Sequence, residues 1–99
     1  RPTRVAFEAE SLVSVHYLVS QAFVHRFEVF YWRERDDEVD FILRKKGSVI
    51  AIEVKSNAEK KTAGLEKFKQ LFQPKNAFIV GDGGISIKDF LSMDIRKLF

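Results

Sequence analysis

The sequence contains no cysteine, which excludes disulfide bonds and metal sites built on thiolates. This absence fits a reducing compartment, and we expect a cytoplasmic location. Sites in which oxygen atoms bind a metal stay open, because carboxylates and carbonyls need no sulfur. Only five glycines and two prolines occur in 99 residues, and no linker rich in them divides the chain. We therefore predict one domain over residues 1–99.

Long apolar runs are also missing, since no stretch approaches the roughly 18 residues of a membrane span. No signal-like charged and then apolar start precedes the first helical pattern, so we expect no membrane partner. The only methionine is Met93 and the chain opens with Arg1. These features predict a fragment of a longer polypeptide.

What the chain does contain is typical of a small globular domain. Hydrophobic residues make up 45% of the sequence and charged residues 31%, a balance that a disordered chain would not have. Ten phenylalanines, two tyrosines and one tryptophan supply large core side chains. The net charge of +3 permits an anionic partner such as nucleic acid but does not require one.

Hydrophobic periodicity predicts an α/β fold with the element order α, β, β, β, α, β. Tight turns between the first three strands imply an antiparallel meander, and the helical crossover implies that the fourth strand is parallel to the third. The first strand has apolar residues on both faces, which predicts burial on both sides. The predicted elements are a helix from Val5 to about Phe23, strands over Phe27–Arg35, Glu38–Arg44 and Ser48–Lys55, a helix with Leu65, Phe68, Leu71 and Phe72 that ends before Pro74, a strand over Asn76–Val80, and a short helix to Met93 with a capping box over Ser86–Asp89.

The second and third strands carry the residues with the clearest chemistry. Side chains two apart in a strand share a face, so Glu53 and Lys55 point to one side. If Asp40 on the neighbouring strand points the same way, two carboxylates and one ammonium meet. Close carboxylates repel each other, and a divalent cation such as magnesium removes that repulsion. Lys55 could then orient or deprotonate a water that attacks a phosphate.

Two interpretations without a metal site also explain these residues. An acid-x-Lys triplet is expected about once or twice by chance in such a composition, and Glu59 with Lys61 forms a second one in a polar loop. Asp40 and Lys55 could also form an ordinary exposed cross-strand salt bridge, which contributes about 0–1 kcal/mol. The apolar strand that precedes Glu53 favours the site around Glu53 over the loop triplet.

Several short segments resemble known proteins in the same order along the chain. EVD at Glu38–Asp40 followed by IEVKS at Ile52–Ser56 resembles the signature of the PD-(D/E)XK nuclease superfamily. More narrowly, the chain resembles the nuclease-like C-terminal domain of unknown function of prokaryotic AAA-type ATPases. The segments that carry this resemblance are ESLV at Glu10–Val13, YWRE at Tyr31–Glu34, EVDF at Glu38–Phe41, AIEVKS at Ala51–Ser56 and GLEKF at Gly64–Phe68.

The resemblance implies a restriction-endonuclease-like fold, with a mixed four-stranded sheet flanked by helices, and a set of site residues. Asp40, Glu53 and the backbone carbonyl of Val54 would hold Mg²⁺ or Mn²⁺, and Lys55 would be the catalytic lysine. Glu10 matches an acidic residue that the superfamily often places on its first helix, although a plain first-turn acid explains it equally well. Val39 stands where the superfamily has proline, which touches no metal ligand.

The function expected from these residues is metal-dependent hydrolysis of nucleic-acid phosphodiester bonds, with DNA as the first choice of substrate. The alternative is a non-catalytic module of the same fold that binds DNA or protein for an ATPase domain of the same polypeptide. The sequence is also compatible with a homodimer. Gln70, His16 and His25 are expected at the surface or at helix ends, and the glycines of Gly81–Gly84 in a turn. A basic rim for nucleic acid could include Arg44, Lys45, Lys46, Lys60, Lys61, Lys67 and Lys69.

Overall fold

A computed structural model describes residues 9–55 and 62–99, with side chains from residue 13 onward. The helices and strands follow the predicted order and form a mixed four-stranded sheet flanked by helices. Helix α1 covers Ala9–His25, strands β1, β2 and β3 cover Glu28–Glu34, Asp37–Lys45 and Ser48–Lys55, helix α2 covers Ala63–Phe72, strand β4 covers Asn76–Gly81, helix α3 covers Ile87–Ser92, and a 3₁₀ turn covers Ile95–Leu98.

The strands lie side by side in chain order, from β1 at one edge to β4 at the other. β1, β2 and β3 pair antiparallel, and β4 pairs parallel with β3, as the meander and the crossover predict. The turn between β2 and β3 has positive φ at Lys46 and Gly47, the backbone of a tight two-residue hairpin. This hairpin fixes which residues of β2 and β3 face each other.

Two apolar clusters cover the two faces of the sheet. On one face Leu18 of α1 and Phe90 of α3 pack with Leu43 and Ile52. On the other face Leu65 and Phe68 of α2 pack with the cluster members Val39, Ile42 and Ala51. Because side chains alternate along β3, Glu53 and Lys55 have the parity of Ala51 and belong to the face that α2 covers.

The predicted burial of β1 on both faces is wrong. Phe30 is 40% exposed and Tyr31 is 48% exposed, and only Val29 and Trp32 of this strand are half-buried. The reason is lateral position, since β1 is an edge strand and the helices cover it only in part. An aromatic sequence alone does not reveal whether a strand is central or at an edge.

Helix ends agree with the predicted signals, with small shifts. Helix α1 continues to His25, two residues beyond the prediction, and residues 5–8 of that prediction lie outside the described residues. Helix α2 ends at Phe72, where Gln73 adopts the left-handed conformation ahead of Pro74. Ser86 caps α3, since its side chain accepts the Asp89 N–H at 3.1 Å. No helix in the described parts is long and apolar enough to cross a membrane.

Helix α2 is held closely over the start of β2. Gly64 lies against the backbone of Glu38, where a methyl group would overlap the Glu38 carbonyl. Lys67 forms ion pairs with Glu34 at 2.7 Å and with Asp37 at 3.5 Å. The hydrogen bond and charge of Lys67 lower the pKa of Glu34, and the same contact raises the pKa of Lys67. These contacts fix α2 next to the predicted acids.

Candidate metal centre

The regular ladder between β2 and β3 stops one residue before the two predicted acids. It runs from Lys45 opposite Ser48 to Phe41 opposite Ile52, so Asp40 and Glu53 are the next residues to face each other. Side chains replace the ladder there. The Asp40 N–H donates to Glu53 Oε1 at 3.0 Å, and the Val54 N–H donates to Asp40 Oδ2 at 2.8 Å.

These two bonds hold both carboxylates at the end of the β2–β3 ladder and set their orientation. Each carboxylate accepts a backbone N–H of the strand that carries the other one. A carboxylate has about four lone-pair sites, so accepting one hydrogen bond does not remove its ability to bind a cation. The structure therefore brings Asp40 and Glu53 next to each other on neighbouring strands, and their role as metal ligands stays a prediction.

A β-bulge explains why the strands change their pairing at this point. Phe30 of β1 faces Ile42, but Trp32 faces Val39, so β2 has one more residue than β1 in this interval. The extra residue lies at Asp40 and Phe41. Bulges bend a strand and re-aim its side chains, and they are common beside functional sites. Nothing in the sequence pattern indicates this bulge.

Burial makes the pair of acids costly for the fold. Glu53 is 1% exposed and Asp40 is half-buried. A buried carboxylate loses much of its hydration, and a second one nearby adds repulsion. Bonds from backbone N–H groups recover part of this cost. The donor set consists of hard oxygen atoms, which is the chemistry that magnesium and manganese select.

Lys55, the last residue of β3, lies two residues beyond Glu53 and is half-buried. The end of β4 fixes its backbone, because the Lys55 carbonyl accepts the Asp82 N–H at 2.7 Å. Gly81 is needed for this approach, since a methyl group there would overlap the same carbonyl and its φ is +108°. The backbone of the predicted catalytic lysine is thus positioned by a neighbouring strand and turn.

The remaining predicted ligands have different outcomes. The Val54 N–H donates to the Asp40 carboxylate. Val54, whose carbonyl is a predicted ligand, therefore lies next to both acids. The side chain of Glu10 lies outside the described residues. Among the side chains that the structure describes, no three from His, Cys, Asp and Glu gather as a metal-binding group. A metal here would depend on two carboxylates, a carbonyl and water.

Several residues outside this site lie in the surface and turn positions that the sequence predicts for them. Gln70 and His16 are exposed, and Gly81–Gly84 forms a turn in which the Gly84 N–H donates to the Gly81 carbonyl at 3.1 Å. Among the described residues, the predicted basic rim is not brought together as one surface. Lys67 and Lys69 pair with acids, Lys60 and Lys61 lie outside the described residues, and Arg44, Lys45 and Lys46 gather elsewhere, with Arg26.

Arg26 is the residue that sequence reasoning missed. It follows the last residue of α1 and has a φ of 58°, a conformation in which glycine is the usual residue after a helix. The sequence indicates this only in part: the predicted first helix is followed by an arginine and not by the usual glycine. That signal becomes informative only when the neighbouring basic residues are known.

A comparison with protein families identifies the family of this chain. The sequence model of a family described as Domain of unknown function (DUF4143) matches residues 8–93, and this family is commonly found in C-terminal regions of AAA ATPases. A search of curated proteins found no match. The matched range includes every helix and strand from α1 to α3. The chain therefore belongs to the family described as Domain of unknown function (DUF4143).

Proposed function

We propose that this domain is a metal-dependent nuclease of the PD-(D/E)XK type, which hydrolyses nucleic-acid phosphodiester bonds with Mg²⁺ or Mn²⁺. The observation that carries the proposal is the contact between Asp40 and Glu53. Beside a bulge, each carboxylate accepts a backbone N–H of the opposite strand, and Glu53 is 1% exposed. A divalent cation bound by both carboxylates would offset their mutual repulsion and their loss of hydration.

In this proposal the chain's own groups have separate roles. Asp40, Glu53 and the Val54 carbonyl would hold the cation, with Glu10 as a further ligand. When bound, the metal would polarise the phosphate and lower the pKa of a water molecule. The Lys55 amine would orient or deprotonate that water, or stabilise the charge that builds on the phosphoryl oxygens. The backbone N–H groups of Asp40 and Val54 would keep the carboxylates oriented.

A second candidate is a non-catalytic module of the same fold. The burial of Glu53 and the backbone bonds of both acids favour it, because these contacts also close the gap where the β2–β3 ladder ends. Such a module would bind DNA or protein for an attached ATPase domain, the context in which the family is commonly found. The two candidates differ in whether the acids bind a metal and cut DNA.

Nicking of plasmid DNA by the full-length protein tests the proposed activity. We expect nicks that appear with added Mn²⁺ and disappear with EDTA, because the acids need a divalent cation to act on a phosphate. Full length is the suitable form, since neighbouring parts of the polypeptide could grip the substrate. Nicking that is absent with Mn²⁺, or unaffected by EDTA, would reject the nuclease.

Metal binding can be tested separately from DNA cleavage. We expect Mn²⁺ to stabilise the parent protein by about 2.7 kcal/mol at one hundred times its dissociation constant. In Asp40→Asn this stabilisation should be lost, because the amide brings no negative charge to the cation. An amide oxygen can still accept the Val54 N–H, and the repulsion between two carboxylates is gone.

Thermal unfolding with and without Mn²⁺ measures both effects. Glu38→Gln is the matched control, because it removes an acid two residues away on the same strand and should keep the response to metal. The salt-bridge interpretation predicts a different outcome, with no metal response in the parent and a small loss of stability in Asp40→Asn. That outcome would contradict the metal site.

A further inference from the structure

A cavity lined by charged residues lies far from the acids, where the end of α1 meets the hairpin between β2 and β3. Its volume is about 390 Å³, more than ten times the roughly 30 Å³ that a water molecule occupies in the liquid. Four cationic residues and one acidic residue line it, together with Val24 and His25. We call it the basic pocket, and its charged residues are Arg26, Glu28, Arg44, Lys45 and Lys46.

The single acid of the basic pocket does not cancel its positive charge. Arg44 binds Glu28, since both its Nε and a terminal nitrogen lie 2.9 Å from Glu28 Oε1. The Arg44 guanidinium also lies 4.7 Å from the centre of the Phe30 ring, a cation–π contact that holds it in place. With Arg44 paired with Glu28, three further cationic residues line the same cavity.

Two of these cations occupy backbone positions that arginine and lysine do not favour. Arg26 has a φ of 58° and Lys46 a φ of 50°. Both lie in the left-handed region, where glycine and asparagine are more stable than residues with long side chains. Arg26 is the residue after a helix and Lys46 is the first central residue of a hairpin turn. Each of two separate turns thus places one cationic residue beside the same cavity, and each does so at a conformational cost.

We infer that the basic pocket binds a phosphate group. Arginine and lysine are the side chains that bind phosphate oxygens most often, and Arg44 is already held in a fixed orientation. On the proposed function the phosphate belongs to a nucleic-acid backbone. Asp40 and Lys45 are five residues apart along β2, or about 17 Å, which equals about five base steps of a duplex at 3.4 Å each. A free phosphate anion offers the same chemistry.

The test uses a change that should weaken binding without harming the fold. The double variant Arg26→Asn and Lys46→Asn puts a favoured residue at each left-handed position, so its melting temperature should equal or exceed that of the parent. We expect its affinity for a short fluorescent DNA duplex to fall about tenfold, and the dependence of affinity on salt to weaken by about 2 in slope. Fluorescence anisotropy with the full-length protein measures both.

The control variant removes two charges elsewhere, by Lys75→Gln and Lys88→Gln, and should bind the duplex more tightly than the double variant. All DNA binding is measured in EDTA, so the result does not depend on cutting, and nicking by the parent is tested separately. A second arm titrates inorganic phosphate by calorimetry. A loss confined to the phosphate arm identifies a small phosphate as the ligand, and a loss of DNA affinity identifies nucleic acid. Unchanged binding of both probes would overturn the inference.

Discussion

Asp40→Asn is expected to lower Mn²⁺-dependent nicking by the full-length protein about 10³-fold. The substitution keeps an oxygen that can accept the Val54 N–H, so the fold around the site should persist. It removes one of two negative charges that would hold the cation. A bound metal contributes several kcal/mol to stabilising the transition state, and each 1.36 kcal/mol corresponds to a tenfold change in rate.

Lys55→Ala separates binding from chemistry at the same site. We expect nicking to fall about 10²-fold or more, because the amine would act on the water or on the phosphoryl charge. Metal-induced stabilisation should remain, since Lys55 is not a ligand. Glu38→Gln should nick DNA like the parent. Equal activity in the parent, Asp40→Asn and Lys55→Ala would reject the catalytic assignment, and loss of metal binding in Lys55→Ala would assign the lysine a structural role.

Gly64→Ala is expected to destabilise the domain by about 3 kcal/mol, the upper part of the range for overpacking. The new methyl group would overlap the Glu38 carbonyl, and backbone cannot move aside as a flexible side chain can. Helix α2 would have to rise from the sheet, which would weaken the contacts of Leu65 and Phe68 with the core. Urea unfolding followed by tryptophan fluorescence measures the change, because Trp32 packs against Phe68.

Ala63→Gly is the control for this substitution. It makes the reverse exchange at the neighbouring helical residue, which is exposed, and should cost no more than about 1 kcal/mol in helix propensity. Glu38 is two residues from Asp40, so Gly64→Ala should also reduce the stabilisation by Mn²⁺. A Gly64→Ala protein as stable as the parent would show that α2 does not approach β2 as described.

The order of helices and strands was predictable because it depends on local patterns. Apolar spacing of three and four gave α1, alternation around Phe41 gave β2, and Pro74 marked the end of α2. β3 was predicted at its observed bounds, Ser48–Lys55. Glycines at turns and Ser86 at a cap act within a few residues, so their effects can be read without knowing the fold.

What the sequence did not predict depends on contacts between distant segments. The exposure of Tyr31 follows from the edge position of β1, and the bulge at Asp40 follows from its pairing with both neighbours. Side-chain parity predicted that Asp40 and Glu53 could meet. It could not predict that each carboxylate would accept a backbone N–H of the opposite strand. The gathering of Arg26 with Lys46 likewise needed the three-dimensional fold.

The central claim, that Asp40 and Glu53 hold one divalent cation, is tested most directly by anomalous diffraction from crystals grown with Mn²⁺. We expect a single anomalous peak that contacts oxygens of both carboxylates. The metal–oxygen distances should be about 2.1 Å, as in magnesium sites. The peak should be absent in Asp40→Asn crystals grown under the same conditions. A parent crystal with no manganese between these two side chains would contradict the account.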